Sequence, residues 1–276
     1  MFSVLILTLN EERLLPACLA SVAGCDDVVV LDSGSMDRTA EIARHAGARV
    51  FSHAFENFAA QRNHAHHAIP FRHPWVFHLD ADERMTPALR DECAAYAGAE
   101  PLDGCYAAPQ MLWEGRWIRH CTDYPAWQAR FVKAHDFEFV QAGHGQREAP
   151  GMRMGRLDAP YLHDLSASGV EAWLAKHRRY AAAEAAAYLA EGAGLGPSLR
   201  ALLRGPALER RRALKRISYR LPGRPAWRWV YQYLFRGGLL DGGPGLRYCR
   251  LLARYEGFAA AELRRLRAAA RPPDRA

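Results

Sequence analysis

Asp80-Ala81-Asp82 closes the apolar run Trp75-Val76-Phe77-His78-Leu79. In an extended backbone the side chains at i and i+2 point to one side, so the two carboxylates form a pair of oxygen donors at a strand end. Hard divalent cations such as Mg²⁺ or Mn²⁺ take oxygen ligands and bridge proteins to diphosphates. A solvated turn or a helix N-cap can contain the same tripeptide, so its surroundings decide. Two more polar residues follow apolar runs in the same way, Asn10 after Ser3–Leu9 and Asp32 after Asp27–Leu31. Ligands of open α/β sheets bind outside the carboxyl ends of the strands, and here three such ends carry polar groups.

The elements that must position these residues alternate. Ser3–Leu9 predicts a strand, and a helix follows with Pro16 in its first turn, where a missing N–H costs little. Val28-Val29-Val30-Leu31 lacks polar alternation, as in a parallel strand covered on both faces. Asp32-Ser33-Gly34-Ser35 is turn chemistry, followed by a helix over Asp37–His45, a strand over Arg49–Ser52 and a helix over Phe58–Ala68. Trp75–Leu79 is the next strand and Pro87–Tyr96 the next helix. The alternation predicts a doubly wound α/β sheet. From 104 to 164 the pattern changes: a hairpin at Trp113–Trp117, a strand over Trp127–Lys133, a loop over His144–Glu148 and a short strand at Tyr161–His163. Helix resumes from Gly169 to about Glu191, a Gly-rich break spans Gly237–Gly245, and an amphipathic helix runs from Leu246 to about Leu266.

The 276 residues suffice for one large α/β domain and an appendage. Half are hydrophobic and 24% charged, which excludes a disordered chain. Six cysteines without a C-x-x-C pair argue against a zinc knuckle or disulfide framework and suit a reducing compartment. The apolar N-terminus has no basic flank and runs into Asn10-Glu11-Glu12, so it reads as a strand rather than a signal peptide. The net charge of +7 is unevenly placed: residues 1–150 carry 13 Lys+Arg against 20 Asp+Glu, and residues 151–276 carry 24 against 10. Such a basic region can meet anionic lipid, an acidic glycan or nucleic acid.

Four segments together form a recognisable series: Leu7-Thr8-Leu9-Asn10-Glu11-Glu12, Val30-Leu31-Asp32-Ser33-Gly34-Ser35-Met36-Asp37-Arg38-Thr39, Gln61-Arg62-Asn63 and His78-Leu79-Asp80-Ala81-Asp82-Glu83. In order and spacing the chain resembles family 2 glycosyltransferases of GT-A fold, in particular the branch that builds bacterial lipopolysaccharide core and exopolysaccharide. The resemblance covers residues 2 to 180 and extends more loosely to Asp241-Gly242-Gly243-Pro244-Gly245. It implies an α/β fold with a Rossmann-like mixed sheet flanked by helices and a basic helical C-terminal extension. The expected division is a catalytic domain over 1–191 and a basic, aromatic region over 192–276.

The implied chemistry is metal-dependent, inverting transfer of a sugar from a nucleotide-diphosphate sugar, a UDP-sugar, to a lipid-linked saccharide or lipopolysaccharide-core acceptor. Thr8, Asn10, Glu12, Asp32, Gln61, Arg62, Asp80 and Ala81 are the expected nucleotide-sugar contacts. Asp32 can accept from a uracil-like N–H or a ribose hydroxyl, or it can shape the Ser-Gly-Ser loop as an Asx-turn. Arg62 can neutralise phosphate or stack on the base, or stand as an exposed helix arginine. The resemblance implies Asp82 as the direct ligand of a diphosphate-bound Mg²⁺ or Mn²⁺, with Asp80 towards the ribose or sugar and His163 completing the metal site. The metal would stabilise charge on the departing nucleoside diphosphate.

Inversion needs a carboxylate base for the acceptor hydroxyl. Relatives carry a His-Glu pair where this chain has His144-Gly145-Gln146-Arg147-Glu148, so Glu148 is the expected base and Asp123 the alternative. Arg147 is expected at phosphate or acceptor, with His144, Gln128 and Arg130 near donor or acceptor. Ala126 replaces the aspartate that relatives carry after Tyr-Pro, which affects acceptor contacts more than the donor site. No stretch reaches the ~18 apolar residues of a membrane span. Trp227–Leu240, broken by Arg228 and Arg236, reads as interfacial, with aromatics at headgroup level and arginines on lipid phosphates, or as a helical cap on the catalytic domain. The implied location is cytoplasmic, peripheral at the inner membrane face. Two other readings compete. A sugar nucleotidyltransferase would need a basic Gly-rich loop where Thr8–Glu12 is acidic. In a nucleic-acid-binding module the carboxylate set would have no use.

Overall fold

The computed structural model describes residues 1–97, 102–142, 145–190, 202, 210, 213–214, 217–220 and 222–269. The chain forms two compact units, one of residues 1–117 and 123–167, the other of 118–122 and 168–276.

The first unit alternates as its apolar runs require: β1 (Ser3–Thr8), α1 (Leu15–Ser21), β2 (Val28–Asp32), α2 (Thr39–His45), β3 (Arg49–Ser52), α3 (Phe58–Ala68), β4 (Trp75–Asp80), β5 (Glu83–Arg84) and α4 (Pro87–Tyr96). Side chains along β1 alternate between two cores. Val4 and Ile6 join Leu15, Leu19, Ala43, Leu89 and Cys93 from α1, α2 and α4, while Leu5 and Leu7 join Ala65 of α3 and Ile69 after it. Helices therefore cover both faces, which is why these strands show no polar alternation. Asn57 caps α3 by accepting from Ala60 N, and Thr86 caps α4 by accepting from Leu89 N, with Pro87 opening that helix.

The rest of the unit supplies β6 (Gly104–Ala107), β7 (Pro109–Trp113), β8 (Arg116–Trp117), β9 (Gln128–Lys133), β10 (Phe139–Ala142), β11 (Gly145–Glu148), β12 (Met154–Arg156) and β13 (Tyr161–Asp164). The main sheet runs β12-β6-β9-β4-β1-β2-β3. β1, β2, β3 and β4 pair in parallel, and β9 is antiparallel to both β4 and β6. The expected α/β fold with a mixed sheet is thus present. A purely doubly wound sheet is not, because β9 enters between β4 and β6. Residues 145–148 are strand rather than loop, paired from Ala142↔Gly145 to Phe139↔Glu148. A second sheet runs β5-β13-β7-β8. Glu114 and Gly115, with φ of 51° and 72°, form the hairpin turn between β7 and β8.

The second unit is helical: α5 (Val170–Ala190), α6 (Arg224–Val230) continuing as a π-turn over Tyr231–Phe235, a 3₁₀ turn over Gly238–Asp241, and α7 (Gly242–Ala269). Ala181, Ala185 and Tyr188 of α5 pack on Ala259 and Leu263 of α7. By this packing α5 is part of the second unit. The Gly237–Gly245 stretch is not a break: a 3₁₀ turn and the first residues of α7 occupy it. Its Asp241 accepts from His120 N, His120 Nδ1 (2.8 Å) and Cys121 N (2.8 Å), which ties residues 118–122 into the unit. A Cβ on Gly245 would lie 2.5 Å from Asp241 Cβ and 2.5 Å from Gly238 O, so only glycine fits there. All six cysteines are free. Among the described residues no helix is long and apolar enough to cross a membrane.

Candidate active site

The carboxyl ends of β1, β2 and β4 converge because their registers match: Thr8 is paired with Asp32, and Leu7 with Asp80. Asp32 is buried and accepts from Thr8 Oγ1 (3.0 Å), Gly34 N (3.1 Å), Ser35 N (2.8 Å) and the Ser35 hydroxyl. Of the two roles open to it, the Asx-turn is the one formed. Asn10, exposed with φ of 56°, clasps the same loop: its N–H donates to Ser35 Oγ (2.8 Å) and its Oδ1 accepts from Met36 N (2.8 Å). Glu12 does likewise, its N–H donating to Asp37 Oδ2 (3.1 Å) and its Oε2 accepting from Arg38 N (3.1 Å). Thr8, Asn10, Glu12 and Asp32 together hold one loop above the strand ends.

Gln61, Arg62 and Asn63 fan out from consecutive positions of α3. Gln61 Nε2 donates to Ser33 Oγ (3.1 Å) and His53 O (3.1 Å), Arg62 Nη2 to Asp80 Oδ1 (2.8 Å), and Asn63 Nδ2 to Phe139 O (2.9 Å). Successive helical residues point about 100° apart, so three adjacent side chains reach the β2 loop, the end of β4 and the β10–β11 hairpin. The α3–β4 match follows from two periods. Arg62 and His66, one turn apart on α3, face Asp80 and His78, two apart on β4. Helix i,i+4 spans ~6 Å and strand i,i+2 ~6.6 Å, so both pairs meet. His66 Nε2 and His78 Nε2 are 3.0 Å apart, and His66 Nδ1 lies 3.0 Å from Phe137 O. Gln61 and Arg62 are fully buried. Arg62, expected at phosphate or base, holds Asp80 in the structure, and Gln61 holds the Ser33 loop.

Arg130 is likewise buried, and a β-bulge aims it. Cys105 pairs with Phe131 and Tyr106 with Ala129, so Arg130 is the extra residue of β9. Its Nη2 donates to Glu83 Oε1 (2.7 Å) and Asp80 Oδ2 (3.3 Å), and its guanidinium lies 5.1 Å from the Tyr161 ring centre. Burial opposes ionisation of Asp80, yet Arg130 and Arg62 hold its carboxyl well below the usual carboxylate range. Glu83 differs: burial, with the Asp80 and Asp82 charges, pushes it up to about 7 against Arg130. Glu83 Oε2 also accepts from Asp80 N (2.8 Å), which closes the turn that carries Asp82. Sequence reasoning passed over Glu83; the signal for it was a third carboxylate directly after Asp82.

β13 brings in His163. Its antiparallel pairing with β5 sets His163 opposite Glu83, and His163 Nε2 lies 3.3 Å from Asp82 Oδ2, both side chains about a quarter exposed. Burial works against a charge on His163, but the Asp82 hydrogen bond and the Asp82, Glu83 and Asp80 carboxylates outweigh it and raise its pKa. Of the three expected ligands, Asp82 and His163 come together, while Asp80 is turned to its two arginines. Among the described residues no three His, Cys, Asp or Glu side chains converge as a finished metal cage. One carboxylate and one imidazole do form an N,O donor pair that divalent first-row ions accept. Ala81 between the aspartates is buried.

Glu148 ends β11, and its Oε1 accepts from Tyr106 Oη at 2.7 Å. Arg147 is exposed, Gln128 is half-buried at the start of β9, and Asp123 is exposed. His144 lies outside the described residues. A cleft of about 640 Å³ between α1 and α2, lined by Leu19, Val22, Ile42 and His45 among others, contains none of these groups; the chemistry lies at the strand ends.

Carboxylates, a loop clasp and an N,O donor pair lie together at the carboxyl ends of a mixed α/β sheet, where open α/β sheets bind their ligands. Residues 3–157, more than half of the chain, match the family described as Glycosyl transferase family 2, and the chain belongs to that family. It is similar to the lipopolysaccharide core biosynthesis glycosyltransferase LpsC of Rhizobium meliloti, 37% identical over 94 residues, covering 32% of this chain and 34% of that protein. An uncharacterized glycosyltransferase of Rickettsia typhi is 34% identical over 91 residues, 33% of this chain and 30% of its own. The matched stretches span about a third of these relatives' length. Among solved structures, Staphylococcus aureus TarS has a TM-score of 0.43 at 16% identity, covering 97% of this chain and 91% of that one.

Proposed function

We propose that the protein is a metal-dependent inverting glycosyltransferase that moves a sugar from a nucleotide-diphosphate sugar, a UDP-sugar, to a lipid-linked saccharide or lipopolysaccharide-core acceptor at a cytoplasmic membrane face. One observation carries the reading: Asp82 and His163, 81 positions apart in sequence, meet at 3.3 Å beside the end of β4. The relationship to LpsC supports the acceptor class.

Asp82 and His163 would hold the cation, which when bound neutralises charge on the departing nucleoside diphosphate. The loop clasped by Asn10 and Glu12 borders the nucleoside. Arg62 and Arg130 fix Asp80 as a carboxylate, so its oxygens stay acceptors for ribose or sugar hydroxyls. Glu148, oriented by Tyr106, takes the proton from the acceptor hydroxyl as that oxygen attacks the anomeric carbon. Asp123 is the alternative base, and Gln128 and Arg147 lie towards the acceptor. A panel of nucleotide sugars, scored by Mn²⁺- or Mg²⁺-dependent release of nucleoside diphosphate, tests this. One donor is expected to turn over and to stop doing so in excess chelator. Turnover that is indifferent to chelator overturns the metal role, and release of pyrophosphate from a nucleoside triphosphate overturns the reaction class.

A further inference from the structure

The second unit displays a group of large apolar side chains that its own core does not use. Trp227, Tyr231, Leu234 and Phe235 recur along the continuous helix of α6 and the π-turn at spacings that share one face, and Leu239 and Leu240 follow on the 3₁₀ turn. All six are exposed, Phe235 by 80%, Leu240 by 67% and Trp227 by 62%. The other exposed large hydrophobics among the described residues are scattered singly along the chain, which is ordinary for a protein surface; a contiguous group is not.

The face is held out rather than left over. Behind it Gln232 is buried and donates from Nε2 to Cys121 O, and Arg236 Nη2 donates to Thr122 O at 2.8 Å. Asp241 grips His120 and Cys121 from the far end of the segment. Trp229 and Tyr233, one turn apart, stack on each other with ring centres 4.9 Å apart. A Cβ on Gly238 would meet Cys249 Sγ and Gln232 O at 2.9 Å, so the turn lies flush against its support.

Charge decides what covers the face. From Ile217 to Tyr255 the sequence holds seven arginines (Arg220, Arg224, Arg228, Arg236, Arg247, Arg250 and Arg254) and one carboxylate, Asp241. Asp241 is buried, and so is Glu256, which follows and pairs with Arg224 at 2.7 Å. Within this stretch, therefore, no exposed side chain is acidic. Aromatic and aliphatic side chains in an arginine-rich stretch, on backbone already hydrogen-bonded as helix, fit the boundary between lipid headgroups and acyl chains.

We infer that the Trp227–Leu240 face docks the protein onto an anionic lipid bilayer. This deepens the membrane part of the function proposed above, but its evidence is independent of the donor chemistry. The test uses the full chain with vesicles of phosphatidylcholine alone and of phosphatidylcholine with phosphatidylglycerol. Wild type co-sediments with the anionic vesicles, binds them at least tenfold more tightly than the neutral ones, and loses binding as salt rises. The Phe235→Ser/Leu240→Ser double variant loses at least tenfold of this binding, with circular dichroism and donor hydrolysis in solution unchanged. Equal binding to neutral and anionic vesicles, or full binding by the double variant, overturns the inference. So does a wild-type dimer in sedimentation that the double variant abolishes, if neither protein binds vesicles. Donor hydrolysis reports separately on the glycosyltransferase reading, so either can fail alone.

Discussion

Replacing Arg130 by Met tests whether a buried arginine organises the acidic strand end. Two carboxylates lose a partner, unequally. Asp80 keeps Arg62 at 2.8 Å and has 32% of its side chain in solvent, so its share is small. Glu83 is 1% exposed, and its 2.7 Å bond to Arg130 is the ion pair that burial makes essential. Removing one partner of a buried pair costs about 3–5 kcal/mol. Glu83 limits that loss by taking up a proton. Burial and the neighbouring aspartates already push its pKa to about 7 with Arg130 present, and without the arginine it rises further. A group whose folded pKa lies above its unfolded value adds stability at low pH that is lost as pH rises towards the folded pKa. The variant therefore loses stability between pH 7 and 8, by up to about 1.4 kcal/mol per unit, where wild type has largely completed that loss. Urea unfolding followed by tryptophan fluorescence at pH 6, 7 and 8 reads both effects. Arg130→Met/Glu83→Gln regains most of the stability, because replacing both partners of a buried pair removes the stranded charge. A deficit below about 1 kcal/mol, a deficit equal at pH 6 and 8, or a double variant no better than the single would refute the reasoning.

Asp82→Ala abolishes metal-dependent donor turnover yet shifts unfolding by no more than about 1 kcal/mol, because the Asp82–His163 pair is partly exposed; circular dichroism melts alongside turnover check both. Acid destabilises the β4–α3 contact. His66 must donate from Nδ1 to Phe137 O, so its Nε2 accepts from His78, and that geometry requires the His66 ring to be neutral. Burial lowers His66 to about 4 and His78 well below its ordinary value. Below about pH 6.5 the unfolded chain binds protons that the native state does not, so stability falls by about 1.6 kcal/mol between pH 6.5 and 5 from His66 alone, as urea midpoints will show. Gly245→Ala forces a methyl against Asp241 Cβ and Gly238 O and destabilises the second unit by roughly 1–3 kcal/mol or more; faster hydrogen exchange in α7 and at Cys121 reports it.

The sequence by itself determined the strand ends. Apolar runs terminated by Asp32 and Asp80 read as buried strands with carboxylates at their rims, and helices were legible over Phe58–Ala68 and Pro87–Tyr96. The period of α3 against that of β4 was also written there, once the two were known to face each other. Family membership followed from the order of the same motifs. What tertiary structure decided was every relation across long separations. The β5–β13 register sets His163 beside Asp82, and no local pattern around Tyr161 encodes that pairing. The bulge at Arg130 turns a sheet residue into the partner of Glu83 and Asp80, and it exists only because β6 and β9 differ by one residue across their pairing. Arginines 62 and 130 are both buried. Their burial against a paired carboxylate depends on which strand lies next to which, and the physics of a local segment is silent on that.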